Sequence, residues 1–227
     1  MKKIFSLIIA CFVSVTTFAQ NDVTTFLGIP VDGTKSEMRK KLIEKGFEPI
    51  KLDEDVIFRG EFNGIKVNIH IATNNNKVCR LMISDVNTSD ESSIKTRFNK
   101  LVSQFEKNKR YVSFDDFSIA DNVDISYEMG VNDKKFDALY YQIADPEKIE
   151  DFETKSMIEK LRSKYTLEEL QNPTEEIEKE IQEAGNEILL EKTKKKPVWF
   201  TIFNYYGDYY IIMYYDNEYN RANGEDL

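Results

Sequence analysis

The run Val56-Ile57-Phe58-Arg59-Gly60-Glu61-Phe62-Asn63-Gly64-Ile65-Lys66-Val67-Asn68-Ile69-His70-Ile71, continued by Ala72-Thr73-Asn74-Asn75-Asn76-Lys77-Val78-Cys79-Arg80-Leu81-Met82-Ile83, decides the fold. Asn63-Gly64 is a hairpin signal, because both residues tolerate the positive φ of a type I′ turn. It pairs Phe62 with Ile65, Gly60 with Val67, Phe58 with Ile69 and Val56 with Ile71. A three-residue loop at Asn74, Asn75 and Asn76 then pairs Ile71 with Cys79, Ile69 with Leu81 and Val67 with Ile83. Both turns put apolar side chains on one common face, and a slip of one residue would mix the faces. An antiparallel three-stranded meander follows.

The same registers address a tempting catalytic pair. His70 and Cys79 sit on neighbouring strands, and a Cys–His pair can generate a reactive thiolate. The register places Cys79 on the core face and His70 on the other, beside Ile57 and Arg80 and among Arg59, Glu61, Lys66 and Asn68. No dyad is expected.

Helices flank the meander. Thr34 and Glu37 have the spacing of a capping box, Met38, Leu42 and Ile43 form a helical stripe, and Gly46 is a natural stop. A second helix is predicted over 90–107, with Thr88 and Glu91 as its box and Ile94, Phe98, Leu101, Val102 and Phe105 as its buried side. Val123, Ile125, Tyr127 and Met129 alternate as a strand, as do Leu139, Tyr141 and Ile143. From about 146 to 196 the chain turns charged and helical, which reads as an insertion. Ile149, Phe152, Met157, Ile158 and Leu161 suit one of its helices. Asn172-Pro173-Thr174-Glu175 suits the start of another, with Asn172 as the cap.

The segment after the insertion is dense in aromatics: Trp199, Phe200, Phe203, Tyr205, Tyr206, Tyr209, Tyr210, Tyr214, Tyr215 and Tyr219. Gly207-Asp208 fits a hairpin turn that opposes Tyr205 to Tyr210, Phe203 to Ile212 and Thr201 to Tyr214. The other face carries Phe200, Ile202, Tyr206, Tyr209, Ile211, Met213 and Tyr215. Neither face is polar, so either both are buried or one is an open aromatic platform. Burial would come from the sheet's helices on one side and the insertion helices on the other. In the open case Tyr206, Tyr209 and Tyr215 are the candidate binding residues.

Composition sets outer limits. The chain has 31 Lys and Arg against 40 Asp and Glu, a formal charge of −9, so nucleic acid is not an expected partner. One His and two Cys do not assemble the usual zinc site, and no metal, cofactor or catalytic residue is assigned. Asp216, Glu218 and Asn220 resemble the start of a calcium loop, but Arg221 and Leu227 stand where that loop needs Gly and Glu. Asp115, Asp116, Asp121 and Asp124 are the nearest carboxylate cluster for glycan hydrolysis, and they read as a solvated acidic loop. Residues 1–19 have the form of a signal peptide: Lys2 and Lys3, an apolar run from Ile4 to Val15, then Ala19 at the cut. Ile8-Ile9-Ala10-Cys11 is a loose lipobox. Cleavage after Ala19 is preferred, because the run before Cys11 is short and Phe12 to Phe18 would be a greasy mature start. No later stretch approaches the ~20 apolar residues of a transmembrane helix.

Phe26-Leu27-Gly28-Ile29-Pro30-Val31-Asp32-Gly33-Thr34, the helix ending at Gly46-Phe47 and the terminal Tyr214-Tyr215-Asp216…Glu225-Asp226-Leu227 resemble an uncharacterised family of exported proteins of Gram-negative gut anaerobes. The likeness covers about 25–110 and 198–227, with 146–196 as an insertion. At the level of fold alone, a capped helix followed by a meander is similar to one unit of the β-lactamase inhibitor protein and of small outer-membrane assembly lipoproteins. The expectation is therefore one α+β domain over 20–227, with a mainly antiparallel sheet of about seven strands and helices against it. Its expected role is that of an exported binding module for a protein or glycan, not an enzyme. The alternative is a carboxylate-dependent hydrolase acting on glycans.

Overall fold

The computed structural model describes residues 22–52, 55–143, 145, 155–157 and 159–222. The predicted signal peptide (residues 1–19) with Cys11, and Ile149, Phe152 and Ile158 of the first helix predicted in the insertion, lie outside the described residues.

The chain folds as α+β. A short ribbon, β1 (Thr25–Phe26) and β2 (Ile29–Pro30), precedes α1 (Lys35–Glu44). The edge strand β3 (Glu48–Leu52) and the meander β4 (Asp55–Phe62), β5 (Ile65–Asn74) and β6 (Lys77–Asp85) follow. Next come α2 (Glu91–Lys107), β7 (Tyr111–Val112), α3 (Ile125–Val131) and β8 (Asp137–Gln142). The insertion contributes α4 (Leu167–Gln171) and α5 (Glu175–Thr193), and the chain closes with β9 (Pro197–Tyr205) and β10 (Asp208–Asp216). The main sheet has 8 antiparallel strands in the order β3-β4-β5-β6-β10-β9-β8-β7. The last hairpin is thus inserted at the sheet's centre, between β6 and β8.

The first meander turn is as the sequence predicts. Phe62 pairs with Ile65, Gly60 with Val67 and Phe58 with Ile69, while Asn63 and Gly64 both take positive φ. The second turn differs. Asn75 and Asn76 both adopt positive φ, so the loop has two residues, and Asn74 pairs with Lys77. A β-bulge beside Ala72 and Thr73 shifts the register, leaving Ile71 opposite Leu81 and Ile69 opposite Ile83. The slip is even-numbered, so the apolar face survives it. Cys79 is the bulged residue and is half-buried, not a core residue.

One face of the sheet holds the main core. The Ile94, Phe98, Leu101, Val102 and Phe105 stripe of α2 is buried there, as predicted, and α1 contributes Met38 and Leu42. The α1 capping box forms as expected. The cap of α2 is Asp90 instead of Thr88, and the cap of α5 is Thr174 instead of Asn172. The predicted strand at Val123–Met129 is a helix, α3. Asp124 accepts a hydrogen bond from the Tyr127 amide, and the Glu91 carboxylate accepts the Ile125 amide at 2.7 Å. Those two bonds satisfy N–H groups that an α-helix leaves open at its start.

The N-terminal segment is tied down at once. Lys196, buried, donates to Asp22, and the Thr24 hydroxyl donates to the Asp216 carbonyl. The Gln142 side chain brackets Thr25, accepting from its amide at 2.7 Å and donating to its carbonyl at 3.0 Å. Tyr140 is different: its ring packs against Phe105 and Phe200, yet its buried hydroxyl has no hydrogen-bond partner among the described residues. Tyr140→Phe removes that desolvated group and keeps the ring. Thermal melting should show the variant to be as stable as the parent or better by about 1 kcal/mol.

Candidate functional site

The sheet's second face carries the candidate site. Cross-strand pairing aligns His70, Met82, Tyr214, Trp199 and Leu139 in one row over five strands. At the usual strand spacing this row is about 19 Å long. Ile57, Ile212 and Tyr214 are buried on this face but stand outside the main core cluster, so the sheet has a second apolar layer. The row beside it runs through Asn68, Ser84, Ile212 and Thr201, polar except for the buried Ile212.

The aromatic rings stack in cross-strand pairs. Trp199 and Tyr214 lie with centroids 3.9 Å apart and planes at 15°, and Phe203 and Tyr210 at 5.7 Å and 23°. Side chains stand roughly perpendicular to a sheet. Partners that stack face to face therefore turn their ring edges outward. The Arg80 guanidinium lies 4.8 Å from the Tyr214 centroid and 5.6 Å from that of Trp199. Asp216 fixes it with a fork of two hydrogen bonds, 2.5 and 2.7 Å, and also accepts the Trp199 indole N–H at 3.0 Å. These bonds to Asp216 push Arg80 still further toward its charged form, and burial raises the Tyr214 hydroxyl. Beside this cluster an open groove of about 430 Å³ continues to Leu139, Tyr141 and Pro197, with Lys194 and Arg221 on its walls. Further along the hairpin exposure grows: Phe203 is 38% exposed, Tyr205 58% and Tyr206 96%.

The predicted binding residues are not brought together. The turn is Tyr206-Gly207, both at positive φ, so Tyr205 opposes Asp208 and Phe203 opposes Tyr210. Tyr206 stands at the tip, apart from Tyr209 and Tyr215, with its ring edge-on to that of Tyr205 at 4.9 Å. Tyr209 and Tyr215 are buried in the main core, on the face that α2 covers. The cover is α2, not the insertion helices, of which α5 reaches the sheet at β8. On the opposite face of the hairpin Phe203 and Tyr205 are exposed, a face which the sequence also marked as apolar but did not rank.

The other candidates are placed as follows. His70 pairs with Met82, burial pushes its imidazole pKa down, and Cys79 sits elsewhere on β6 in the bulge. Asp116 and Asp124 accept the Ser118 and Tyr127 amides, and the Asp121 carbonyl accepts from Lys95. Asp216, Glu218 and Asn220 are bonded to Arg80, Arg221 and Asp32. Among the described residues no group of three or more His, Cys, Asp or Glu is placed to hold a metal ion.

Burial pushes the Cys79 thiol pKa up, with Arg80 opposing. Less thiolate is then present near pH 7 than in a free thiol, and more appears as pH rises. The native protein should label slowly at neutral pH and faster at alkaline pH. Cys79→Ser should cost less than about 1 kcal/mol, because the residue is not in the core.

No protein-family model, curated protein sequence or solved structure matches the chain.

Proposed function

We propose that this chain is an exported, non-enzymatic binding module that docks a protein partner on the second face of its C-terminal hairpin. One observation carries the reading: the rings of the ladder stack on their cross-strand partners, Trp199 on Tyr214 and Phe203 on Tyr210, and Arg80 lies over the first pair, so the ladder turns ring edges outward. A sugar needs an open ring face for its C–H groups. An edge-on ladder with apolar Leu139 and Phe203 beside it suits the interdigitating side chains of a protein surface. The rigid floor, held by Asp216, would lose little conformational entropy on docking.

Export rests on the charged start, apolar run and small residue at 1–19. Among the described residues no helix is long and apolar enough to cross a membrane. The buried carboxylates favour binding over hydrolysis, since Asp85 and Asp216 are each held in a fork by an arginine, Arg97 and Arg80.

Phe203→Glu combined with Tyr205→Glu should leave the melting temperature unchanged and abolish capture of the envelope protein that the parent retains. The single tryptophan, Trp199, lies in the proposed interface, so its emission should shift when that partner is added. Retention of the same partner by the double variant would sink the docking reading. Mass spectrometry of the native protein should find Gln20 at the amino terminus, and a chain starting at a lipid-modified Cys11 would refute the cleavage.

A further inference from the structure

On the core side of the sheet the β1–β2 turn, the β4–β5 turn and the C-terminal end of α2 converge around an open cleft of about 650 Å³. That volume is within the range of small-ligand sites, roughly 300–1,000 Å³. Phe105 and Tyr215, both buried, line it, with the half-buried Phe62 and Tyr111 at its sides. Leu27 and Gly28, the positive-φ pair of the β1–β2 turn, form one lip.

The polar groups around this apolar lining have unspent hydrogen-bonding capacity. Asn63 donates to the Gln104 side-chain oxygen at 2.7 Å, which leaves the Asn63 oxygen and the Gln104 amide N–H groups without a partner among the described residues. Asn108 accepts from the Arg110 backbone amide at 3.1 Å and keeps its own side-chain donors. The Glu61 carboxylate and the Arg110 guanidinium line the same cleft, and neither makes an ion pair or side-chain hydrogen bond among the described residues. Both donors and acceptors are therefore left over on this wall, and the formal charges of Glu61 and Arg110 cancel.

We infer that this cleft is a binding site for a short neutral saccharide, formed by Glu61, Asn63, Gln104, Asn108 and Arg110 over an aromatic lining. Sugar hydroxyls both donate and accept, which matches a wall of carboxylate, amides and guanidinium. Apolar surface for the sugar's C–H groups comes from the half-buried Phe62 and Tyr111, whose inner sides pack against Phe26 and Phe105. An anion would meet Glu61, and a cation would meet Arg110. An extended peptide would pair along a free strand edge, and the edge strands that line the cleft, β1 and β7, are only two residues long each.

The test uses the mature protein with three neutral disaccharides, chitobiose, cellobiose and maltose, at millimolar concentration. Inorganic phosphate and a Gly-Ser tetrapeptide serve as competing probes. Amide shifts in a ¹H–¹⁵N spectrum should cluster at Leu27, Gly28, Asn63, Asn108 and Tyr111 for at least one disaccharide. Gln104→Ala with Asn108→Ala, both on the exposed rim, should weaken that binding roughly tenfold or more. Phe203→Glu with Tyr205→Glu, on the other face, should leave it unchanged, so this inference and the docking reading fail separately. A spectrum that responds to none of the disaccharides overturns the inference. So does one that responds only to phosphate or to the peptide, or equal disaccharide affinity in the rim variant.

Discussion

Tyr209→Ala and Tyr215→Ala should each lower the melting temperature by roughly 10 °C, while Tyr206→Ala should leave it unchanged. Tyr209 is 2% exposed, its hydroxyl lies 2.7 Å from the Ser126 oxygen, and its backbone exchanges two hydrogen bonds with Ser89. Tyr215 is 4% exposed, and its ring meets that of Phe26 edge-on at 5.0 Å. Truncating a buried aromatic removes about 3–5 kcal/mol, because the surroundings only partly close on the cavity. For a chain of this size each kcal/mol is worth about 2–4 °C. Tyr206 sits on a turn, 96% exposed, and among the described residues its ring meets only that of the exposed Tyr205, so it has little packing to lose. An unchanged melting temperature for Tyr209→Ala would mean that α2 does not cover this face and that the two faces of the hairpin have been exchanged.

The hairpin shows where sequence reasoning reached and where it stopped. Its aromatic density was plain, and so was the parity of its residues. Which face α2 would cover was not, because Phe203, Tyr210 and Tyr214 are as apolar as Ile202, Tyr209 and Tyr215. The choice is made by partners far away in sequence: Phe98 against Phe200, and Phe26 against Tyr215. The two misplaced turns share a cause. Asn76 and Tyr206 take positive φ, which a local propensity argument reserves for Gly and for selected Asn positions. In both hairpins the error was an even number of residues, which conserves the face and so left the fold class intact. The α3 helix escaped because the Glu91 carboxylate at its start comes from α2. β3 escaped because Glu48-Pro49-Ile50-Lys51-Leu52 contains a proline and two charges, the marks of a protected edge. The saccharide cleft had no local signature, since its walls come from two turns, the end of α2 and residues of β7, β8 and β10.

Arg80→Ala should cost about 3 kcal/mol, the lower end for breaking a buried ion pair, because Arg80 itself reaches solvent. The Asp216 side chain is 5% exposed and that of Arg80 31%. Without the guanidinium, the Asp216 carboxylate would stay desolvated, with the Trp199 N–H as its remaining side-chain donor. Asp216→Asn should cost less, since Arg80 can turn to water and the amide oxygen can still accept from Trp199. Arg80→Lys should recover part of the loss. It restores the charge but neither the two-bond fork nor the planar stack over Trp199 and Tyr214. Removing Lys160 from its exposed pair with Glu187 should not move the melting temperature, as befits a solvated surface pair. Trp199 emission provides a second readout, because in Arg80→Ala the indole loses the cation over its ring while its N–H still faces the Asp216 carboxylate. If Arg80→Ala melts with the parent and its emission is unchanged, Asp216 is hydrated and the aromatic ladder has no rigid floor. A pre-ordered protein-docking face would then lose its physical basis, whatever partner the chain retains.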